Sequence, residues 1–353
     1  MVHGGAWLPR IFSLREDWMA TFSVGVVGAG DIARKVHLPV LLSMPNVHVQ
    51  WIYDANLSRA REVASAYRLA AVDLCTPADL PPCDVALLAI PVGSRTAYYD
   101  AFSRRSTAVF AEKPFAVSAD QHQALMARFE PHRLACGYMR RFYSSTQALR
   151  DLVRSAPFGP LLRMRIAEGN RSTGSRVDQS YIDDSRQSSF GGILSELGCH
   201  SLDVALFVTG ARGYETQSCE FVFDGPVDRK ITARISLTDS RYAPTDTVTL
   251  DYCVSWLDRQ ANQIVLEFER CTVWAQIHPG SDVRMGDPEP ASAGTRLVPP
   301  TRAATTTNQA FYLQWRSFLD GVSNKIESEI SARSALFGTS LIENLYSRCR
   351  HRA

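Results

Sequence analysis

The chain has 353 residues, 45% of them apolar and 21% charged, and a formal net charge of +2. That composition excludes large-scale disorder and is enough for two domains with sizeable cores, while the near-neutral charge and scattered arginines give no electrostatic case for nucleic acid. No window approaches the roughly eighteen apolar residues of a membrane span and the N-terminal stretch lacks an apolar signal core, so a cytoplasmic protein with a small ligand is expected.

Residues 1–22 read as an extension ahead of the first strand, with Met19 as an alternative start. "HGGAW" within it is similar to an oxyanion loop, but no G-x-S-x-G elbow follows. From residue 23, "SVGVVGAGDIARKVHLPVLLSM" passes from a buried-strand pattern through glycines into helical spacing at Ile32, Val36 and Val40. "VHVQWIYD" alternates Val47, Val49, Trp51 and Tyr53, ends at Asp54, and is followed by a helix, "LSRAREVASAYR". The uninterrupted apolar run at 84–91 fits a parallel strand covered on both faces. A helix at 95–105 and a strand in "TAVFAEKP" come next, and the alternation predicts an α/β Rossmann domain over residues 23–136.

"GAGDIA" sits between strand and helix, the context a dinucleotide turn requires. Gly28 permits the tight turn, Gly30 lets the backbone approach a pyrophosphate, and the N–H groups around Asp31 and Ile32 open the helix toward that anion. Asp54 is placed for an adenosine ribose, and its charge opposes a 2′-phosphate, which favours NAD. Arg59 lies close enough to serve such a phosphate, so NADP stays open.

The pattern changes near Gly137. After a helix, strands at about 161–169, 218–224, 229–238, 246–256, 262–269 and 271–277 follow one another without crossover helices. Residues 137–353 are therefore expected to form an α+β domain with a large open, mainly antiparallel sheet. Its uncovered face would expose apolar surface, which predicts a homodimer or homotetramer. Residues 279–308 are rich in Pro, Gly, Ser and Thr and are expected to be irregular, ahead of two closing helices around 309–322 and 331–350.

"FGGILSELGCHSLDVALFVTG" predicts a helix from about Gly192 to Gly210. Ile193, Leu197, Val204 and Val208 form an apolar stripe, and Glu196, His200 and Asp203 a polar one. An acid four residues before a histidine can orient the imidazole and raise its pKa, as general acid/base chemistry near neutral pH would use; a plain solvated helix face is the alternative. The two glycines at its start would let another group come close. Eight widely spaced cysteines without C-x-x-C, and no second histidine at ligand spacing, leave no metal site expected and reduced thiols as the expected state.

With "VGVVGAGDIA", "AEKP", "GYMRRF", "FGPL", "GGILSELGCHSLD" and "SLIENLYSRC" in this order, the chain from about Ser23 onward resembles the Gfo/Idh/MocA family of NAD(P)-dependent sugar and polyol oxidoreductases. The resemblance implies an active site containing Lys113 and His200, with Glu196 beside them, and cofactor contacts from Pro91, Glu112 and Lys113. It implies a cis bond before Pro114. Arg95, Tyr138, Arg141 and Asp203 are expected near the substrate. Two departures stand out: Glu196 where the family has aspartate, and Arg95 where many members have histidine.

The function so implied is hydride transfer between nicotinamide and a secondary alcohol or ketone of a sugar, cyclitol or nucleotide-linked sugar. A redox-neutral NAD-dependent glycosidase and a non-catalytic NAD(P)-binding sensor are the alternatives.

Overall fold

The computed structural model describes residues 20–171, 192–242, 247–288, 294–298 and 303–350. Most of the expected extension, the Ser-rich loop ahead of Gly192, and Gly191 itself lie outside these. Among the described residues no helix is long and apolar enough to cross a membrane, and none of the eight cysteines, all described, is in a disulfide.

Six parallel strands make the first sheet: β1 (Phe22–Val27), β2 (Val47–Tyr53), β3 (Ala70–Ala71), β4 (Val85–Leu88), β5 (Ala108–Ala111) and β6 (Leu134–Cys136), in spatial order β3-β2-β1-β4-β5-β6. β4 and β5 are buried along their whole length, as the continuous apolar runs require of strands covered on both faces. Strand order reverses beside β1, which makes the crevice beyond the carboxyl ends of β1 and β4 the ligand position in such sheets. Register then does the placing. Val27 is level with Tyr53 and Leu88, and Leu88 with Ala111, so Gly28, Asp54 and Glu112 leave their strands along one rim.

The second sheet has eight strands: β7 (Leu161–Gly169), β8 (Gly213–Asp224), β9 (Val227–Thr238), β10 (Val248–Ser255), β11 (Gln263–Phe268), β12 (Thr272–Gln276), β13 (Val283–Met285) and β14 (Thr295–Val298), in order β14-β13-β12-β11-β7-β10-β9-β8. Only the β7–β10 pair is parallel. β13 and β14 fall where an irregular segment was expected: three- and four-residue strands between Pro and Gly carry too little alternation to be read, and pairing on the edge of β12 forms them.

One face of this sheet buries Met164, Ile166, Ile231, Ile235, Leu250 and Val254 beneath the helices Cys199–Thr209 and Ala332–Arg350. The opposite face is not apolar, contrary to expectation. Asp251 pairs with Arg163 (3.1 Å) and Arg234 (2.8 Å) on the flanking strands, and Arg165 with Glu267 (3.0 Å). An exposed apolar sheet therefore supplies no reason for a dimer or tetramer; cross-strand ion pairs keep the face polar.

The two cores do not divide the chain at residue 137. The helix Thr307–Asn324 packs into the first core, where Trp315 stacks on Phe110 at 4.2 Å, and Cys136 N donates to Ile330 O at 2.9 Å. A large aromatic on a C-terminal helix has no local signal for which sheet it will cover, so chain order alone misassigned it.

A buried histidine joins the same two regions. His122, on the helix Ala119–Met126, donates from Nε2 to Ala332 O (2.9 Å), so its Nδ1 accepts from Thr339 Oγ1 (2.8 Å). Burial lowers its pKa from 6.5 to about 4. Because the unfolded chain then binds more protons between these values, stability is full above pH 6.5 and is lost as pH falls toward 4, by about 3 kcal/mol from this group. Urea titrations at pH 7 and 4.5 should show that loss, and His122→Gln should flatten it; equal slopes in both proteins would refute the assignment.

Candidate active site

The glycine turn is built as a ligand cradle. Gly28 has φ +103°, and a Cβ there would meet Ala89 O at 2.3 Å, so no other residue fits. Beside Gly30 a Cβ would meet nothing within 4 Å. That open space against backbone, at the mouth of a helix, fits the pyrophosphate of a dinucleotide. The helix continues through a π-helical turn, Ala33–His37, into Leu38–Leu42. Asp54 Oδ2 accepts from Ala29 N at 2.8 Å and Oδ1 from Asn56 N at 2.7 Å, so the carboxylate braces the turn while each oxygen retains a lone pair for a ribose hydroxyl. Arg59 is exposed on the following helix. Asp31 is in solvent-exposed ion pairs with Arg34 (3.0 Å) and Lys35 (2.7 Å), and its contribution to the turn is its backbone. Ile32 is half-buried under the first core, and Pro91 opens the turn Val92–Ser94 after β4.

At the end of β5 the Lys113–Pro114 bond is cis. Glu112 is only 8% exposed and does not face the crevice. Its Oε1 is 2.8 Å from His37 Nε2, and Trp315 Nε1 donates to His37 Nδ1 at 2.9 Å. An indole N–H can only donate, which fixes the imidazole proton on Nε2 and makes Glu112 the acceptor. Burial would raise the Glu112 carboxyl, but the His37 hydrogen bond and the nearby charges of Lys113 and Arg95 hold it below its usual range. Glu112 is thus an internal brace rather than a cofactor ligand. His37 and Trp315 were not legible as partners, being 278 positions apart.

Lys113 reaches the other domain. Its Nζ donates to Glu196 O at 2.8 Å and lies 3.1 Å from Glu196 Oε2. Glu196 belongs to a π-helical turn, Leu194–Gly198, that runs into the helix Cys199–Thr209 carrying His200. Here the sequence reading needs correction: the acid is turned to Lys113, and burial together with the charges of Arg140 and Lys113 pushes the His200 pKa well below 6.5 instead of raising it. Among the described residues, His200 Nδ1 is buried without a hydrogen-bond partner. An orphaned imidazole nitrogen is costly in a finished core and is normal where a ligand completes the site.

The close approach at Gly192 is to protein. A Cβ there would lie 1.8 Å from Asp228 Oδ1, and Asp228 Oδ2 accepts from Leu194 N at 2.9 Å, anchoring the start of the helix. Tyr346 OH donates to the same carboxylate at 3.0 Å.

Of the four residues expected near substrate, Arg95, Arg141 and Asp203 are held by protein partners and Tyr138 packs against His200. Tyr138 is 1% exposed and meets the edge of the His200 ring. Arg141 and Asp203 form a buried two-point ion pair at 2.9 and 2.5 Å, and Arg141 also donates to Glu329 O and to Ser334 Oγ (2.6 Å). Asp203 therefore leaves the expected polar stripe for the interior. Arg95 is buried on backbone carbonyls. The arginine near His200 is Arg140, paired with Glu168 at 2.9 Å, whose Oε2 also accepts from Ser201 Oγ at 2.8 Å. A short helical turn, Met139–Phe142, sends adjacent arginines in different directions, so "RRF" alone cannot tell them apart.

The glycine turn and the strand rim with Lys113 lie within residues 22–138, which match the model of an oxidoreductase family with an NAD-binding Rossmann fold; Glu196 and His200 lie outside that match. The match covers this first domain alone. Among curated proteins, the chain is 27% identical over 191 residues to D-glucoside 3-dehydrogenase of Escherichia coli K12, covering 53% of this chain and 54% of that protein. It is 26% identical over 192 residues to inositol 2-dehydrogenase of Rhizobium meliloti, covering 54% and 56%. The matched stretch spans about half the length of these relatives. In fold it is similar to a 3-ketoreductase from Actinomadura kijaniata solved with NADP and TDP-benzene (TM-score 0.75, 19% identity, 93% of this chain and 97% of that one). It is likewise similar to an aldose-aldose oxidoreductase from Caulobacter crescentus solved with glycerol (0.77, 16%, 94% and 98%). At these identities the likeness establishes the two-domain architecture.

Proposed function

We propose that the protein is an NAD(P)-dependent oxidoreductase that moves a hydride between nicotinamide and a secondary alcohol or ketone of a sugar, cyclitol or nucleotide-linked sugar. The observation that carries it is the meeting of Lys113, from the rim beside the glycine turn, with the helix turn that precedes His200. A bound nicotinamide would supply the hydride acceptor or donor; the rest falls to the chain's own side chains. Gly28, Gly30 and Asp54 bind the dinucleotide, NAD in preference to NADP because the Asp54 side chain that braces the turn stands at the ribose position, where a carboxylate opposes a 2′-phosphate. His200, held neutral, takes the hydroxyl proton when the alcohol is oxidised. Lys113 stabilises negative charge on that oxygen, and Glu196 holds the ammonium until substrate arrives.

The test is to titrate NAD and NADP by protein fluorescence, then follow NADH or NADPH over a panel of polyols, glucosides and nucleotide sugars from pH 5 to 8. A base with a lowered pKa loses function only when the pH falls below it, so oxidation should stay level from pH 8 to 6.5 and decline only under that. Dinucleotide binding with no turnover across the panel, and no loss of binding on replacing Lys113 and His200, would make the protein a sensor instead.

A further inference from the structure

Arg95 occupies an unusual position for a cation. It is 2% exposed, and its guanidinium meets backbone oxygens. Nε donates to Ile90 O at 2.8 Å; Nη1 donates to Pro114 O at 2.6 Å and also to Glu112 O. Those last two carbonyls are the ones on either side of Lys113. One side chain therefore ties both neighbours of Lys113 to the loop leaving β4. The nearby carboxylate is Glu112, itself fixed by His37 and Trp315.

Packing alone does not explain this choice. Burying a guanidinium carries a desolvation cost that an apolar side chain of the same volume avoids, and such replacements are often neutral or stabilising when only packing is at stake. Lysine would not substitute either: three acceptors approached from two separate nitrogens call for the rigid guanidinium fork. What the clamp fixes is the backbone from which Lys113 reaches across to Glu196.

We propose that Arg95 is the positioning residue for Lys113, holding its two flanking carbonyls so that the ammonium is presented at the crevice instead of swinging free. The functional importance of this rests on the role proposed above for Lys113, but the positioning is measurable by itself. The sequence has four lysines, Lys35, Lys113, Lys230 and Lys325. Protein labelled with ¹³Cε-lysine gives four methylene signals, with Lys113 assigned as the one lost in Lys113→Arg.

In the wild type the two Lys113 Hε protons should be inequivalent, the mark of a held side chain, whereas exposed Lys35 and Lys325 give averaged signals. In Arg95→Met the inequivalence should vanish and the Lys113 signal should move to the averaged position, with the other three unchanged and NAD still bound. Arg95→Lys should fall between. A Lys113 signal in Arg95→Met identical to wild type would overturn the proposal, as would failure of both variants to fold, which would make Arg95 a folding residue. The function proposed above fails separately, through a Lys113→Met protein that turns substrate over at the wild-type rate.

Discussion

Lys113→Met should slow hydride transfer by about 10²- to 10⁴-fold, equivalent to about 3 to 5 kcal/mol of transition-state stabilisation, while dinucleotide affinity survives. Methionine keeps the length of the side chain and removes its charge. The partner carboxylate, Glu196, has a side chain 36% exposed, so water can solvate it and the fold should lose little. His200→Ala should cost a similar factor because it removes the proton acceptor. Groups acting on one oxygen work as a unit, so the double variant should fall well short of the product of the two losses. Single-turnover NADH formation on the best substrate of the panel is the measurement. Wild-type rates in either single variant would remove that residue from the chemistry.

Arg141→Met should destabilise the protein by about 3 to 5 kcal/mol with little direct effect on the chemical step. The substitution strands Asp203, 2% exposed, without its hydrogen-bonded counter-ion; burial already pushes this carboxyl up, and Arg141, with a smaller contribution from Arg140, opposes that. It also withdraws hydrogen bonds from Glu329 O and Ser334 Oγ, which hold the segment leading into the last helix. Asp203→Leu combined with Arg141→Met should recover part of the loss, since removing both charges removes the desolvation problem. Urea unfolding of Arg141→Met, Asp203→Leu and the double variant decides it. Losses under about 1 kcal/mol in both single variants would show that the pair is not what joins these helices.

The first domain was readable because each of its signals is local: a glycine turn between strand and helix, an apolar run for each covered strand, and an acid where β2 ends. Glu196 and His200 stood out by helical spacing and Lys113 by family resemblance; the fold brings Lys113 and Glu196 into contact. Their interactions were not readable. Spacing of four predicted that Glu196 would serve His200, but the π-helical turn Leu194–Gly198 changes the register and Lys113, 83 positions away, takes the carboxylate. Arg95, Arg141 and Asp203 were expected near the substrate from family resemblance, yet each has its hydrogen-bonding partners inside the protein. The braces missed altogether, His37 with Trp315 and Asp228 with Tyr346, join residues more than a hundred positions apart, and no pattern within one segment encodes such a pairing.

The stacking of Trp315 on Phe110 has a further meaning for biogenesis. During synthesis the tryptophan leaves the ribosome about two hundred residues after the strand it covers, which at about 5 to 20 residues per second is a delay of roughly 10 to 40 s. Throughout that interval the nascent first sheet lacks the indole that covers Phe110 in the finished fold. Its maturation waits on translation of a segment that, in chain order, belongs to the other half.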